Sequence, residues 1–177
     1  GSKVRNLMET EDYKSIFGDV KLREDSKAKG RWETNHGGEY FAAGVGGSIT
    51  GRGADLLIID DPHTEQDSMS DSAMDRAFDW YSSGPRQRLQ PGGSIVVVMT
   101  RWATDDLTGR LIKSQSEPKS DKWRTISFPA ILESGNPVWP EYWKLEELES
   151  VKASVSTKNW NAQYMQDPIS EEGAIIK

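Results

Sequence analysis

Apolar positions change their spacing several times along the chain, and each change predicts an element. Val4, Leu7 and Met8, then Tyr13, Ile16 and Phe17, recur at helical intervals over residues 3–17, with a break near Thr10 and a stop at Gly18. Two strand-like pieces, residues 31–34 and 39–43, flank Asn35-His36-Gly37-Gly38, whose glycines permit positive φ, and so predict a hairpin. A glycine-dense loop, residues 44–53, leads into the apolar strand Asp55 to Ile59. Met74, Ala77, Phe78 and Tyr81 put one apolar face on a helix over residues 70–81. Gln90-Pro91-Gly92-Gly93 predicts a break, and the β-branched run from Ser94 to Met99 fits a fully buried strand. A helix over residues 104–116 (Leu107, Leu111 and Ile112 on one face), a strand over 122–128, and helices near 144–153 and 157–164 complete the pattern before a polar tail. Continuously apolar strands alternating with helices predict an α/β fold whose sheet is largely parallel and covered on both faces.

Composition narrows the class. At 177 residues with seven tryptophans, the chain can build a proper core. A net charge of -6 argues against a surface that is wholly a nucleic-acid clamp. With no cysteine and two histidines, His36 and His63, neither a disulfide framework nor a thiolate or histidine-rich metal cage is expected. No apolar run approaches the ~20 residues that span a bilayer. The chain reads as cytoplasmic, and Gly1-Ser2 reads as an expression scar.

Candidate chemistry begins where the run Leu56 to Ile59 meets two adjacent carboxylates, Asp60 and Asp61. Ligands of open α/β sheets sit beyond the carboxyl ends of strands. The first acid, still held by the strand, suits Mg²⁺, directly or through water. The second points another way and suits orienting a water that attacks a phosphate. The competing reading is an Asx-type turn ahead of Pro62. Thr100 and Arg101 end the next strand at what should be the same sheet edge, and a guanidinium suits phosphate oxygens. Here the alternative is an ordinary strand end whose Arg101 pairs with one of the two acids. Asp105 and Asp106 are left outside the site: Thr104 is a good N-cap, and Asp106 can pair with Arg110 four residues on. The loop "GVGGSITGRG" holds five glycines in ten residues, yet it precedes a strand and lacks the Lys-Ser/Thr of a phosphate-cradling P-loop. Arg52 within it reads either as a finger reaching a phosphate in a neighbouring subunit or as a surface arginine.

"GGSITGRGADLLIIDDP", "PRQRLQPGGSIVVVMTRWATDDLTGRL" and "WPEYWKLEELE" with "WNAQYMQDPISEEGAI" follow in an order that resembles the large terminase subunit of tailed bacteriophages and prophages, from about Gly30 onward. The resemblance implies a partial RecA-like ATPase core of the additional-strand class, a mostly parallel sheet flanked by helices that lacks the P-loop strand. Residues 1–136 would be the later part of that core and 137–177 a helical segment leading toward an absent nuclease domain. It implies an ATPase that uses ATP and Mg²⁺ to drive double-stranded DNA into a procapsid, with the portal protein, the small terminase subunit and further copies in a ring as partners, in the cytoplasm of the bacterial host. Asp60 matches the Walker B magnesium position, and Asp61 stands where such motors usually carry a catalytic glutamate one methylene longer. Thr100 and Arg101 match the coupling motif, Thr100 sensing the γ-phosphate, and Arg52 resembles arginines that act in trans. The Walker A loop is expected upstream of Lys3, so the chain alone is expected to be inactive, with apolar sheet edges exposed.

Two other functions compete. Asp60 and Asp61 could belong to a two-metal nuclease site, which needs further carboxylates nearby. The C-terminal aromatics Trp139, Tyr142, Trp143, Trp160 and Tyr164 could make a docking module, or simply pack two small helices.

Overall fold

The computed structural model describes residues 1–49 and 51–169. The expected polar tail lies largely outside them, at 170–177. The chain divides into two compact units, Gly1–Thr50 and Gly51–Lys177. Among the described residues no helix is long and apolar enough to cross a membrane.

In the first unit the predicted N-terminal helix is two, α1 (Ser2–Met8) and α2 (Glu11–Ile16), split where expected. Thr10 makes the break because its hydroxyl accepts the Tyr13 N–H at 3.3 Å and caps α2. The hairpin forms as β2 (Arg31–Thr34) and β3 (Glu39–Phe41), with Trp32 opposite Tyr40 and their rings stacked at 4.7 Å. A further strand, β1 (Leu22–Ala28), pairs antiparallel with β2. Its polar sequence, LREDSKA, gives no apolar period to predict it. Its Arg23 bonds Asp25 on the same strand and Glu33 across the sheet.

The second unit is mixed α/β around a small parallel sheet. β4 (Ala54–Asp60) pairs in parallel with β5 (Leu89–Val98), Leu57 facing Ile95 and Asp60 facing Val98. Gln90 to Gly93 do not break β5 as expected. They form a bulge, in which Ala54 pairs with Leu89 but Leu56 already pairs with Ser94, and Gly92 supplies the positive φ of 82°. Between the strands runs α3 (Asp71–Ser83), capped by Ser70 and buried through Ala73, Met74, Ala77 and Tyr81. With α4 (Leu107–Ser114), α3 covers one face of the sheet, where Ile59, Tyr81, Leu107 and Leu111 form the core.

The expectation of a sheet covered on both faces is corrected. Leu56, Ile58, Val96 and Val98 alternate onto the opposite face and are 43–60% exposed, because both helices lie on the other side. The strand expected over 122–128 is also absent: no ladder forms there, Ile126 and Phe128 stay exposed, and the Trp123 N–H goes to the Gln115 side chain. Extended, apolar sequence without a neighbouring strand has nothing to pair with.

Near the C-terminus, α5 (Leu145–Ser154) starts where the Glu147 carboxylate accepts the Lys144 N–H at 2.8 Å. α6 (Thr157–Asn159) widens into a π-turn over Trp160–Tyr164. Trp160 is buried and stacks on Tyr164 at 4.9 Å, as a packing role requires, whereas Trp139 and Tyr142 stack on each other in the open, 58% and 63% exposed.

Candidate functional site

The parallel register brings the two strand ends together. Past the last β4–β5 pair the Asp61 N–H still donates to the Val98 carbonyl, at 2.9 Å. The chain then turns sharply, Asp61 taking a left-handed φ of 42° that Asp tolerates better than most residues. This turn directs its carboxylate across the sheet edge, where Oδ1 accepts the Thr100 N–H at 3.3 Å. Asp60, Asp61 and Thr100 thus share one edge, both acids exposed and Thr100 half-buried. Arg52 is not brought there. It precedes β4, whose length alone separates it from Asp60 by about 20 Å at 3.3 Å per residue.

Arg101 pairs with neither Asp60 nor Asp61. Its Nε donates to both oxygens of Asp106, at 3.1 and 2.9 Å, and Nη2 donates to the Ala103 carbonyl. Asp106 is wholly buried, and its remaining bonds explain how that is tolerated. Oδ2 accepts the N–H groups of Trp102 and Ala103, and Oδ1 accepts the Gly109 N–H at 2.8 Å. Asp106, not Thr104, is therefore the N-cap of α4, and the helix starts three residues later than the pattern suggests. The expected Asp106–Arg110 pair does not form: Arg110 bonds Asp75 and the Asp105 carbonyl. The physical reason is that only a carboxylate at 106 can cap the helix and neutralise Arg101 together.

His63, three residues beyond Asp60, is 5% exposed, and its Nε2 accepts the Leu107 N–H at 2.9 Å. That bond places the ring proton on Nδ1 and ties the aspartate turn to the first turn of α4. Burial holds the imidazole below its ordinary value of 6.5, against the opposing pull of Asp106 and Asp67. Gln166 is, with His63 and Asp106, a third group that the sequence reading did not place here: its Oε1 accepts the Arg101 N–H at 3.2 Å. Nothing in the spacing marks Gln166, while His63 and Asp106 are legible as polar residues inside apolar helix and turn patterns.

Asp60 and Asp61 are the two exposed acids at this edge that could face a cation. Among the described residues no group of three or more His, Cys, Asp or Glu side chains forms a metal cage. One or two carboxylates with waters and substrate phosphates is the usual way Mg²⁺ is held, and this pair fits that mode. Two open depressions, of about 530 Å³ beside Phe78, Arg110 and Lys113 and about 290 Å³ beside Leu89, Ile95 and Trp123, lie elsewhere. The sequence matches no protein-family model and no curated protein.

Proposed function

We propose that this chain is the later part of a RecA-like ATPase core of the additional-strand class, within a large terminase subunit that couples ATP hydrolysis to translocation of double-stranded DNA. The observation that carries this reading is the bond from the Thr100 N–H to Asp61, which joins the acidic turn of β4 to the end of its parallel neighbour β5. Two adjacent strands leading into a carboxylate pair and a hydroxyl suit a phosphoryl-transfer site at a sheet edge.

Asp60 would hold Mg²⁺, which when bound would supply positive charge against the phosphates of the nucleotide. Asp61, whose carboxylate accepts the Thr100 N–H at the open edge, would orient the attacking water. Thr100 reads the γ-phosphate, its backbone already tied to that carboxylate. Arg101, neutralised by Asp106, stiffens the coupling segment rather than reaching phosphate. Arg52, at the far end of β4, acts on the site of a neighbouring copy in a ring. The phosphate cradle is supplied by polypeptide outside these residues, and the open edge of β5 and the uncovered face of Leu56, Ile58, Val96 and Val98 give its strand a place to dock. The portal protein and the small terminase subunit are the partners on this reading, in the cytoplasm of a bacterial host.

The test uses the polypeptide extended to include its P-loop. Asp61→Asn should cut Mg²⁺-dependent ATP turnover by about 10²-fold or more while ATP still binds. Undiminished hydrolysis removes the water-orienting role, and no ATPase in the extended parent overturns the reading as a whole. A two-metal nuclease would need further carboxylates beside Asp60 and Asp61, and the described residues gather no such group. A docking role for the C-terminal part has its own support in the open stack of Trp139 and Tyr142, with Trp143 edge-on at 5.5 Å. Protection of these aromatics from a soluble quencher on adding portal protein would assign that surface.

A further inference from the structure

The four backbone N–H groups from Thr100 to Ala103, just beyond β5, are all taken by side chains. That of Thr100 goes to Asp61, that of Arg101 to Gln166, and those of Trp102 and Ala103 to Asp106. A chain leaving a sheet ordinarily gives such donors to water or to another strand. Here three side chains from three parts of the fold hold residues 100–103 instead. Asp61 belongs to the acidic turn and Asp106 to the cap of α4. Gln166 belongs to the turn that closes α6, about 65 residues further along the chain.

The hold at Gln166 is specific in two ways. Its amide orientation is fixed from both ends, because Nε2 donates to the Gln163 carbonyl at 2.5 Å and Oε1 then faces the Arg101 N–H. A flipped amide would set donor against donor and acceptor against acceptor. Its backbone is also in the left-handed region, with φ of 58°, which disfavours residues that carry a Cβ and needs surrounding structure to sustain it. That structure is present: the Met165 N–H bonds the Trp160 carbonyl at 3.0 Å, the Asp167 N–H bonds the Asn161 carbonyl at 2.8 Å, and Trp160 and Ala162 are buried.

We propose that Gln166 is a positioning residue that transmits the state of the Asp61 carboxylate to the C-terminal helical segment. The inference rests on the ATPase reading of the Asp60–Asp61 edge and deepens it. The Thr100 and Arg101 N–H groups flank one Cα, so only the two soft torsions of Thr100 separate them. When Asp61 turns to an attacking water, its bond to the Thr100 N–H is released. Rotation at Thr100 then swings the next peptide plane and takes the Arg101 N–H off Gln166. The C-terminal segment is thereby held in one nucleotide state and freed in another, which a motor needs if hydrolysis is to move DNA.

Two variants separate the bond from the strain. Gln166→Ala removes the acceptor, and Gln166→Gly removes it and also relieves the left-handed backbone. In the 177-residue chain, exchange of the Arg101 amide should quicken about fivefold or more in both variants, the loss of one neutral hydrogen bond. In the extended parent, ATP turnover without DNA should stay within about twofold, while DNA translocated per ATP should fall about tenfold or more in both. Unchanged Arg101 exchange, or wild-type DNA moved per ATP in an active Gln166→Ala parent, overturns this inference alone. A defect present in Ala but cured in Gly assigns the effect to backbone strain and likewise overturns it. A parent without Mg²⁺-dependent ATPase overturns the proposed function itself.

Discussion

Replacing Asp106 with alanine tests how the segment that follows β5 is built. The side chain is fully buried and bonds Arg101 through both oxygens, together with the N–H groups of Trp102, Ala103 and Gly109. Losing the cap on Gly109 costs about 1 kcal/mol. Stranding the Arg101 guanidinium, only 17% exposed, adds about 3–5 kcal/mol, since breaking one side of a buried pair leaves an uncompensated charge. Water entering the vacated space satisfies the two loop N–H groups, so about 4–6 kcal/mol is expected, against a total stability of about 5–15 kcal/mol for a domain. Asp106→Asn keeps an acceptor for the cap and should lose about 1.5–3 kcal/mol, the difference a charge-assisted bond makes. Urea unfolding followed by tryptophan fluorescence measures both, with the slope unchanged if the native state keeps its compactness. Arg101→Met combined with Asp106→Ala should be more stable than Asp106→Ala alone, because the stranded charge is gone. A loss below about 1.5 kcal/mol for Asp106→Ala, or no recovery in the double variant, would refute the reasoning.

Two further predictions concern stability. Unfolded, the His63 imidazole takes up a proton near 6.5, whereas burial postpones uptake in the folded protein, so the unfolded state binds more protons below that value. The urea midpoint should therefore hold steady above about pH 7 and decline as pH falls through about 6.5, and His63→Gln, which keeps an acceptor for the Leu107 N–H, should remove that part of the decline. On β4, Ile59→Ala should cost about 2–5 kcal/mol, since Ile59 is 4% exposed, while the adjacent Ile58, at 60%, should accept lysine within about 0.5 kcal/mol and reduce self-association measured by light scattering.

The elements that sequence pattern found are those whose cause is local. The cap at Thr10, the stripe of α3 and the hairpin of β2 and β3 each follow from residues within a few positions of one another. The misses arise where a partner decides. Ser94 to Met99 reads as doubly buried, but apolarity does not say what covers it, and Val96 and Val98 remain open. Residues 122–128 have strand composition without a neighbour, and β1 has a neighbour without strand composition. The meeting of Asp60, Asp61 and Thr100 at one sheet edge is legible because strand ends announce themselves, whereas the turn of Arg101 toward Asp106 is not. Asp106 was misplaced because its charge partner, Arg101, lies outside the helix it caps. Gln166 was invisible because its role depends on a contact made far along the chain.

The left-handed backbone at Asp61 bears on the choice of acid at that position. A side chain one methylene longer is less at ease with a φ of 42°, where aspartate, asparagine and glycine are the favoured occupants. Exchanging Asp61 for glutamate would favour unwinding that reversal, and the carboxylate would leave the Thr100 amide. The shorter acid thus suits the shape of the corner it stands on, and the reach of its carboxylate is set by main-chain geometry as much as by side-chain length.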